Sequence, residues 1–490
     1  MQNTETLRKL FLPRLSAILF ITLFMSTLAL GPRMLNIDGD LPRHLLMGKV
    51  VLETGRAPLQ EIFSYVYEGR TYIPHEWLAG VIFYLIYLIT GLDGIVLLAG
   101  ILIASTFAIL HFEASQENRN KLAIFLLFLL GASVSSIHWI TRPHLFTMLF
   151  LAVWLILLDR LYRNIPVKIW IPPAIMLLWA NIHAEFIAGF IVLVAYIAGW
   201  TWQFIINGSN ASKETGKRLL QVAFLSFIAS LFNPVGLRTW NLVIGYLNNR
   251  YLLSRIVETR PPDFTQGSYW PLLLMLGIAV YLMARKKFKL NPAHLFLLLG
   301  FGGLSLSAAR NVHLAGVVFP FVLSNLIAES TSFWPLKKFE TILKEVDDPN
   351  YGNAWPIMIT VLASTLIVLS PLSRPYRFEP SVFPVNAVSW LKSHSQNGNM
   401  FNAFDWGGYI LFHLWPEQKV FIESQGDLTG ELTMKYEKIV SLDEGWQEIF
   451  DEYDITWAII PPGSSLAEEL ASQGWKPVYQ DQTAVVLVEN

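Results

Sequence analysis

The sequence predicts an α-helical polytopic membrane protein with about eleven transmembrane helices and a small C-terminal α/β domain. Three observations predict it. The 490-residue chain is 53% apolar and only 15% charged, far from the balance of a soluble protein. Apolar runs close to the roughly 20 residues that cross a bilayer core recur through the first three quarters of the chain. Lysine and arginine then recur at every second connection between those runs, as membrane topology requires.

The spans read, in order, near 12–30, 94–112, 122–140, 145–162, 167–182, 184–206, 219–232, 268–284, 291–308, 311–328 and 355–372. Arg8, Lys9 and Arg14 precede the first, and basic groups follow at Arg119/Lys121, Arg160/Arg163/Lys168, Lys213/Lys217/Arg218, Arg285/Lys286/Lys287/Lys289 and Lys337/Lys338/Lys344. This register places the N-terminus in the cytoplasm and the chain, multi-pass, in a cell inner or plasma membrane. The apolar segment "EWLAGVIFYLIYLITGL", 76–92, would invert the later loops if it crossed, so it is expected in the outer interface or packed between helices. Ser26 and Ala29 admit a cleaved signal peptide, but the run is long and the next loop starts at once.

A transmembrane domain, 1–372, is therefore expected, its first extracytoplasmic loop (31–93) carrying interfacial helices. A C-terminal extracytoplasmic domain, 380–490, follows. There "NAVSWLKSHS" and "SLAEELASQG" read as helices, and "KVFIES", "TWAIIPP" and "AVVLVEN" as strands. The chain has no cysteine, so the exported part must be stable without disulfides.

The unusual polar clusters fall on the outer side of this topology. They are "NIDGDLPRHLLMGK" (36–49), "PHEW" (74–77), "TRPHLF" (141–146), "NIHAEF" (181–186), "NPVGLR" (233–238) with the loop to Asp263, and "AARNVH" (308–313). Ionisable groups at a membrane edge are costly, which makes them candidates for function. Asp38 and Asp40 can share a divalent cation, Mg or Mn, through hard oxygen ligands, or one of them can act as general base. Arg142 and Arg310, with Arg43, carry planar forks suited to phosphate oxygens. His144 and His313 can donate to the same phosphate, ligate a metal or shuttle a proton. His44, His75, Glu76, His183 and Glu185 complete the expected polar cavity on the acceptor side. Each has a plainer alternative: Asp-Gly-Asp as a turn, helix-end arginines reaching for lipid head groups, histidines satisfied inside the core. "FDWGGY" (404–409) reads as a strand-to-helix turn, fit for a sugar face or for tight packing.

An acidic pair just after the first span, a long exported loop with interfacial helices, many spans and a soluble C-terminal domain together resemble the GT-C superfamily of membrane glycosyltransferases. That superfamily includes protein mannosyltransferases, aminoarabinose transferases and oligosaccharyltransferases. The chain is most similar to bacterial members with a first loop like "DGDLPRHLLMGKVVLETGRAPLQEIFSYVYEGRTYIPHEWLAG", then "RPHLF", "WANIHAEFIAG" and "FNAFDWGGYILFHLWPEQKVFIES". The resemblance implies a polyprenyl-phosphate- or polyprenyl-diphosphate-linked sugar as donor and inversion at the anomeric centre. The acceptor would be a glycan, lipid or protein, and the lipid bilayer is the other partner. It also implies that Asp38 or Asp40 activates the acceptor hydroxyl or holds a metal. Asp40 is favoured, because four residues separate it from His44 and a helix starting here would turn both the same way. The mannosyltransferases carry adjacent Asp-Glu where this chain has Asp-Gly-Asp, so their acceptor does not carry over. An envelope glycan ligase or polymerase is the alternative on the same fold, and a transporter or flippase of a charged lipid is the alternative outside it. A transporter would place ionisable groups near the midplane and show internal repeats; this chain has them at helix ends and shows no repeat. No nucleic-acid partner is expected.

Overall fold

The computed structural model describes residues 14–116, 120–207, 212–255, 257–285, 291–328, 354–369, 376–424 and 430–490. Arg8, Lys9, Arg119, Lys286, Lys287, Lys289, Lys337, Lys338 and Lys344 lie outside the described residues. Seven helices among those described are long and apolar enough to cross a membrane: Leu15–Asn36, Trp77–Ser115, Lys121–His138, His144–Tyr162, Ala184–Ile206, Gly267–Ala284 and Ala309–Ile327. The other four expected spans are helices too, shorter or more charged among the described residues. Ile171–Ile182 has 12 residues, about 18 Å of helix against a core of roughly 30 Å. Pro292–Ser307 and Ala354–Leu369 have 16 residues each. Lys213–Ser230 has 18 but opens on Lys213, Glu214, Lys217 and Arg218. The segment 76–92 forms a helix of its own, as expected: the apolar stretch Trp77–Ser115 is two helices joined across a backbone break at Gly91 (φ 66°, ψ −153°).

The chain divides into two compact units. The first comprises Met1–Gly31, Val96–Asn233 and Ser254–Arg374. Its helices are apolar nearly all round, as helices solvated by lipid are. Without a hydrophobic drive between helices in lipid, close backbone approach has to supply the packing. Lys121–Ser135 and Val312–Ala328 meet glycine to glycine: a Cβ on Gly131 would stand 2.5 Å from the Gly316 carbonyl oxygen, and one on Gly316 2.6 Å from that of Gly131. A buried carboxylate, Asp159, gathers three further partners. His294 Nε2 lies 2.9 Å away, the Tyr196 hydroxyl donates at 3.2 Å, and Arg163 Nε stands at 2.8 Å. Arg160 Nε donates to Glu113 at 2.7 Å beside it, so the charge taken from water is met on every side.

The second unit comprises Pro32–Ile95, Pro234–Leu253 and Pro375–Asn490. Its sheet has four strands in the order β1 (Asn399–Asn402), β2 (Ile455–Ile460), β4 (Val485–Val488), β3 (Lys476–Gln480). β1 runs parallel to β2, and β4 is antiparallel to both β2 and β3. The expected strands in "TWAIIPP" and "AVVLVEN" are β2 and β4, and the expected helices are Val385–Leu391 and Ser465–Ser472. "KVFIES" is not a strand. Val420 exchanges backbone hydrogen bonds with Phe63 and Tyr65 of the first loop at 3.1 and 3.3 Å. On its other side the Asn402 side chain accepts from Phe421 N–H and donates to the Ile422 carbonyl, at 3.0 and 2.9 Å. Its extended preference is satisfied, but by a loop and a side chain.

That pairing reflects a wider sharing. Leu46, Val50 and Phe63 of the first loop sit in one core with Phe383, Ile410, Trp457 and Val486. The C-terminal segment therefore completes its core with the first loop, where the expected division at residue 372 set them in different domains.

Candidate functional site

The sequence-predicted residues form two clusters, one in each unit. In the second unit, the helix Asp40–Thr54 starts at Asp40. Asp38 Oδ1 accepts the Asp40 N–H at 3.0 Å, the side-chain-to-backbone turn expected of an aspartate just before a helix. Both carboxylates are half-buried, and Asp40 lies where the helix dipole favours negative charge. The turn is held by backbone packing. A Cβ on Gly39 would strike the Asp405 carbonyl oxygen, and one on Gly408 would stand 2.6 Å from the Gly39 oxygen. The glycines of "FDWGGY" are thus packing glycines, at the strand-to-helix turn the sequence predicts: β1, then Phe404–Trp406, then Gly407–Leu414.

One helical turn after Asp40, His44 shares its face of the helix. Its Nε2 is 3.8 Å from Glu76 Oε2, and His75 Nε2 is also 3.8 Å from that oxygen. His44 is buried edge-on against Phe83. Arg43 turns the other way and corrects the expectation of a phosphate ligand. It is 0% exposed, its Nε 3.1 Å from Glu423, its guanidinium 3.8 Å from the Phe63 ring centroid, and it donates to the Tyr72 hydroxyl at 3.1 Å. Burial opposes its charge, but Glu423, with Tyr72 and Glu61, outweighs that and holds the guanidinium above its ordinary range. Arg43 ties the first loop to the C-terminal segment.

In the first unit, Arg142, His144, His183, Glu185, Arg310 and His313 come together from three chain segments. Arg142 precedes the helix His144–Tyr162, and Arg310 lies in the turn Ala309–Asn311 before Val312–Ala328. Glu185 Oε2 is 3.4 Å from His183 Nδ1 and 3.4 Å from His313 Nε2. His313 Nδ1 donates to the Arg310 carbonyl at 2.6 Å, and His144 Nε2 donates to the His138 carbonyl at 2.7 Å; a carbonyl only accepts, so these nitrogens carry the protons. His144 and His313 are buried and spent on holding backbone, so they shape the cluster from behind. His138, which sequence reasoning passed over, stacks on His313 at 5.0 Å between ring centroids and lies 4.6 Å from the His144 ring. Thr147 and Trp179 were also missed: Thr147 Oγ1 is 3.0 Å from His183 Nδ1 and accepts from Trp179 Nε1 at 2.8 Å. Arg142 faces Glu258 at 3.8 Å, both partly exposed. The loop carrying Glu258 is pinned where Ala309 N–H donates to the Arg260 carbonyl at 2.8 Å. A tract of basic and imidazole groups with one internal carboxylate suits an anion.

Among the described residues, no group of three or more histidines and carboxylates is arranged to hold a metal. Asp38 and Asp40 supply two hard-oxygen side chains, and Mg²⁺ typically takes one or two carboxylates with water and substrate phosphate.

No protein-family model matches the chain, and no curated protein matches it by sequence. Solved structures do match it by fold. An oligosaccharyltransferase from Archaeoglobus fulgidus in its apo form superposes with a TM-score of 0.60 at 12% identity, covering 91% of this chain and 69% of that one. The archaeal oligosaccharyltransferase AglB from Archaeoglobus fulgidus, in complex with an inhibitory peptide and a dolichol-phosphate, gives a TM-score of 0.60 at 13% identity over 91% and 68%. The chain has the fold of these membrane enzymes, as the GT-C resemblance in its sequence implied.

Proposed function

We propose that this protein is an inverting glycosyltransferase. It moves a sugar from a polyprenyl-phosphate or polyprenyl-diphosphate carrier to an acceptor hydroxyl at the outer face of a bacterial envelope membrane. The observation that carries the proposal is an acidic turn directly after the first span of a chain with an oligosaccharyltransferase fold. One of those neighbours was solved with a dolichol-phosphate and a peptide, which supports a lipid-linked donor here.

The roles follow from the chemistry of each cluster. Asp40 takes the proton of the acceptor hydroxyl as its oxygen attacks the anomeric carbon. The bond from that carbon to the carrier's phosphate oxygen breaks, and its electron pair leaves with the phosphate. Phosphate binding falls to Arg142 and Arg310 of the first unit, where His144 and His313 hold the surrounding backbone in place. His44, His75 and Glu76 flank the acidic turn on the acceptor side. A divalent cation, if bound, would use Asp38 and Asp40 and supply charge neutralisation.

The placement is tested by single cysteines introduced into this thiol-free chain. A membrane-impermeant maleimide should label Ser64→Cys in intact cells and leave Ser212→Cys unlabelled; the reverse pattern would invert the topology. The activity is tested by mass spectrometry of envelope glycolipids and glycoproteins with and without the protein. Loss of one defined glycosyl modification is expected, and an unchanged profile would contradict the proposal.

A further inference from the structure

His313 holds backbone with only one of its two nitrogens. Its Nδ1 carries a proton, because it meets the Arg310 carbonyl at 2.6 Å and a carbonyl only accepts. In a neutral ring Nε2 is then a bare lone pair. It stands 3.4 Å from Glu185 Oε2, and an ionised carboxylate also only accepts. The His313 side chain is 0% exposed and that of Glu185 15%. Neither Nε2 nor Oε2 makes a hydrogen bond among the described residues. Two buried acceptors at this distance repel each other, and both go unsatisfied.

The neighbouring groups do not relieve them. His183 Nδ1 is also 3.4 Å from Oε2, but Thr147 Oγ1 engages it at 3.0 Å. His138 and His144 meet His313 ring to ring, at centroid distances of 5.0 and 5.5 Å. Arg142, which faces Glu258, and Arg310 complete the charged groups around the pair. The helices Lys121–Ser135, Trp270–Ala284 and Pro292–Ser307 keep their titratable groups, Lys121, Tyr281 and His294, at the opposite end.

One proton resolves the conflict. Held between Nε2 and Oε2, it makes an imidazolium–carboxylate pair of zero net charge. Without it, Glu185 stands as an anion in the same tract as two arginines. We infer that Glu185 and His313 share one proton, and that phosphate binding at Arg142 and Arg310 depends on it. The proton-bearing pair admits the anion, and the deprotonated pair repels it. The inference rests on the reading of those arginines as the donor-phosphate site.

Histidine nitrogen NMR of the full chain in detergent tests the proton. His313, assigned by difference against His313→Gln, should show two protonated nitrogens in the parent. It should show one in Glu185→Gln, whose side-chain amide donates to Nε2 instead. Binding of polyprenyl methyl phosphate, a carrier diester of fixed single charge, tests the link. Parent affinity should fall about tenfold as pH rises from about 6 to about 9, and Glu185→Gln should lose that slope. A bare nitrogen on His313 in the parent at the acid end of that range would overturn the inference. So would a parent affinity that does not change with pH. Two protonated nitrogens with no binding at any pH would overturn the link and the donor reading together.

Discussion

The acidic turn and the arginine–histidine cluster hold their functional groups in opposite ways. Asp38 and Asp40 are placed by backbone: one side-chain-to-backbone bond, a helix start, and glycines packed against the neighbouring turn. The arginine–histidine cluster is knitted by side chains: His144 and His313 grip the carbonyls of His138 and Arg310, and Glu185 faces both His183 and His313. Changing an aspartate should therefore remove chemistry and leave shape. Changing a residue of the other cluster should disturb binding and shape together.

The largest effect is expected at Asp40. Asp40→Asn keeps the helix start and removes the basic oxygen, so transfer should fall about 100- to 10,000-fold with donor binding and thermal midpoint unchanged. Steady-state transfer beside a donor-binding assay checks both halves. Arg142→Ala should cost about 100- to 1,000-fold in transfer and weaken donor binding as well. If it lowered only the turnover rate, the contrast between the clusters would fail.

Arg43 separates support from chemistry. Arg43→Ala leaves Glu423 buried without its ion-pair partner and should destabilise the fold by about 3–5 kcal/mol, read from the denaturant or thermal midpoint. Arg43→Met with Glu423→Leu should restore most of that, and transfer with it. A smaller effect is expected at Glu258. Glu258 faces Arg142 across a partly exposed 3.8 Å pair; if Arg142 binds the donor phosphate as proposed, Glu258→Gln should tighten donor binding by up to about fivefold. In an Arg142→Ala background the same change should do nothing.

A pH dependence in the second unit is a separate effect, read in stability and not in transfer. Burial, with Lys392 nearby, holds the His413 imidazole down to about 4. The unfolded chain binds that proton near 6.5, so stability at this position is full above about pH 6.5 and falls as pH drops toward 4. The thermal midpoint should decline over that window, and less steeply in His413→Leu.

Much of this was legible along the chain, for reasons of range. The apolar helices follow from the length of apolar runs, and the acidic turn from its place after the first of them. β2 and β4 were visible because continuous β-branched runs need no distant partner to be recognised. Arg43 was misread because its carboxylate partner lies at the far end of the sequence, and a helix-end arginine otherwise looks like a ligand. "KVFIES" was misread for the same reason, its partners being Phe63 and Tyr65. His138 gave no local signal: one histidine beside a tryptophan at a helix end resembles many satisfied core residues. It acquires meaning only when His144 and His313 stand next to it. The shared core of the first loop and the C-terminal segment is a long-range fact of the same kind.

The central claim is that the acidic turn does the proton chemistry of sugar transfer from a lipid carrier. Its most direct test is transfer from a purified polyprenyl-phosphate-linked sugar in proteoliposomes, comparing the parent chain with Asp38→Asn, Asp40→Asn and the double variant. Robust transfer by the parent is expected, with a loss of about 100-fold or more in Asp40→Asn and no further loss in the double variant. Parent-like rates in both single variants would contradict the claim and leave Asp-Gly-Asp a charged turn at the start of a helix.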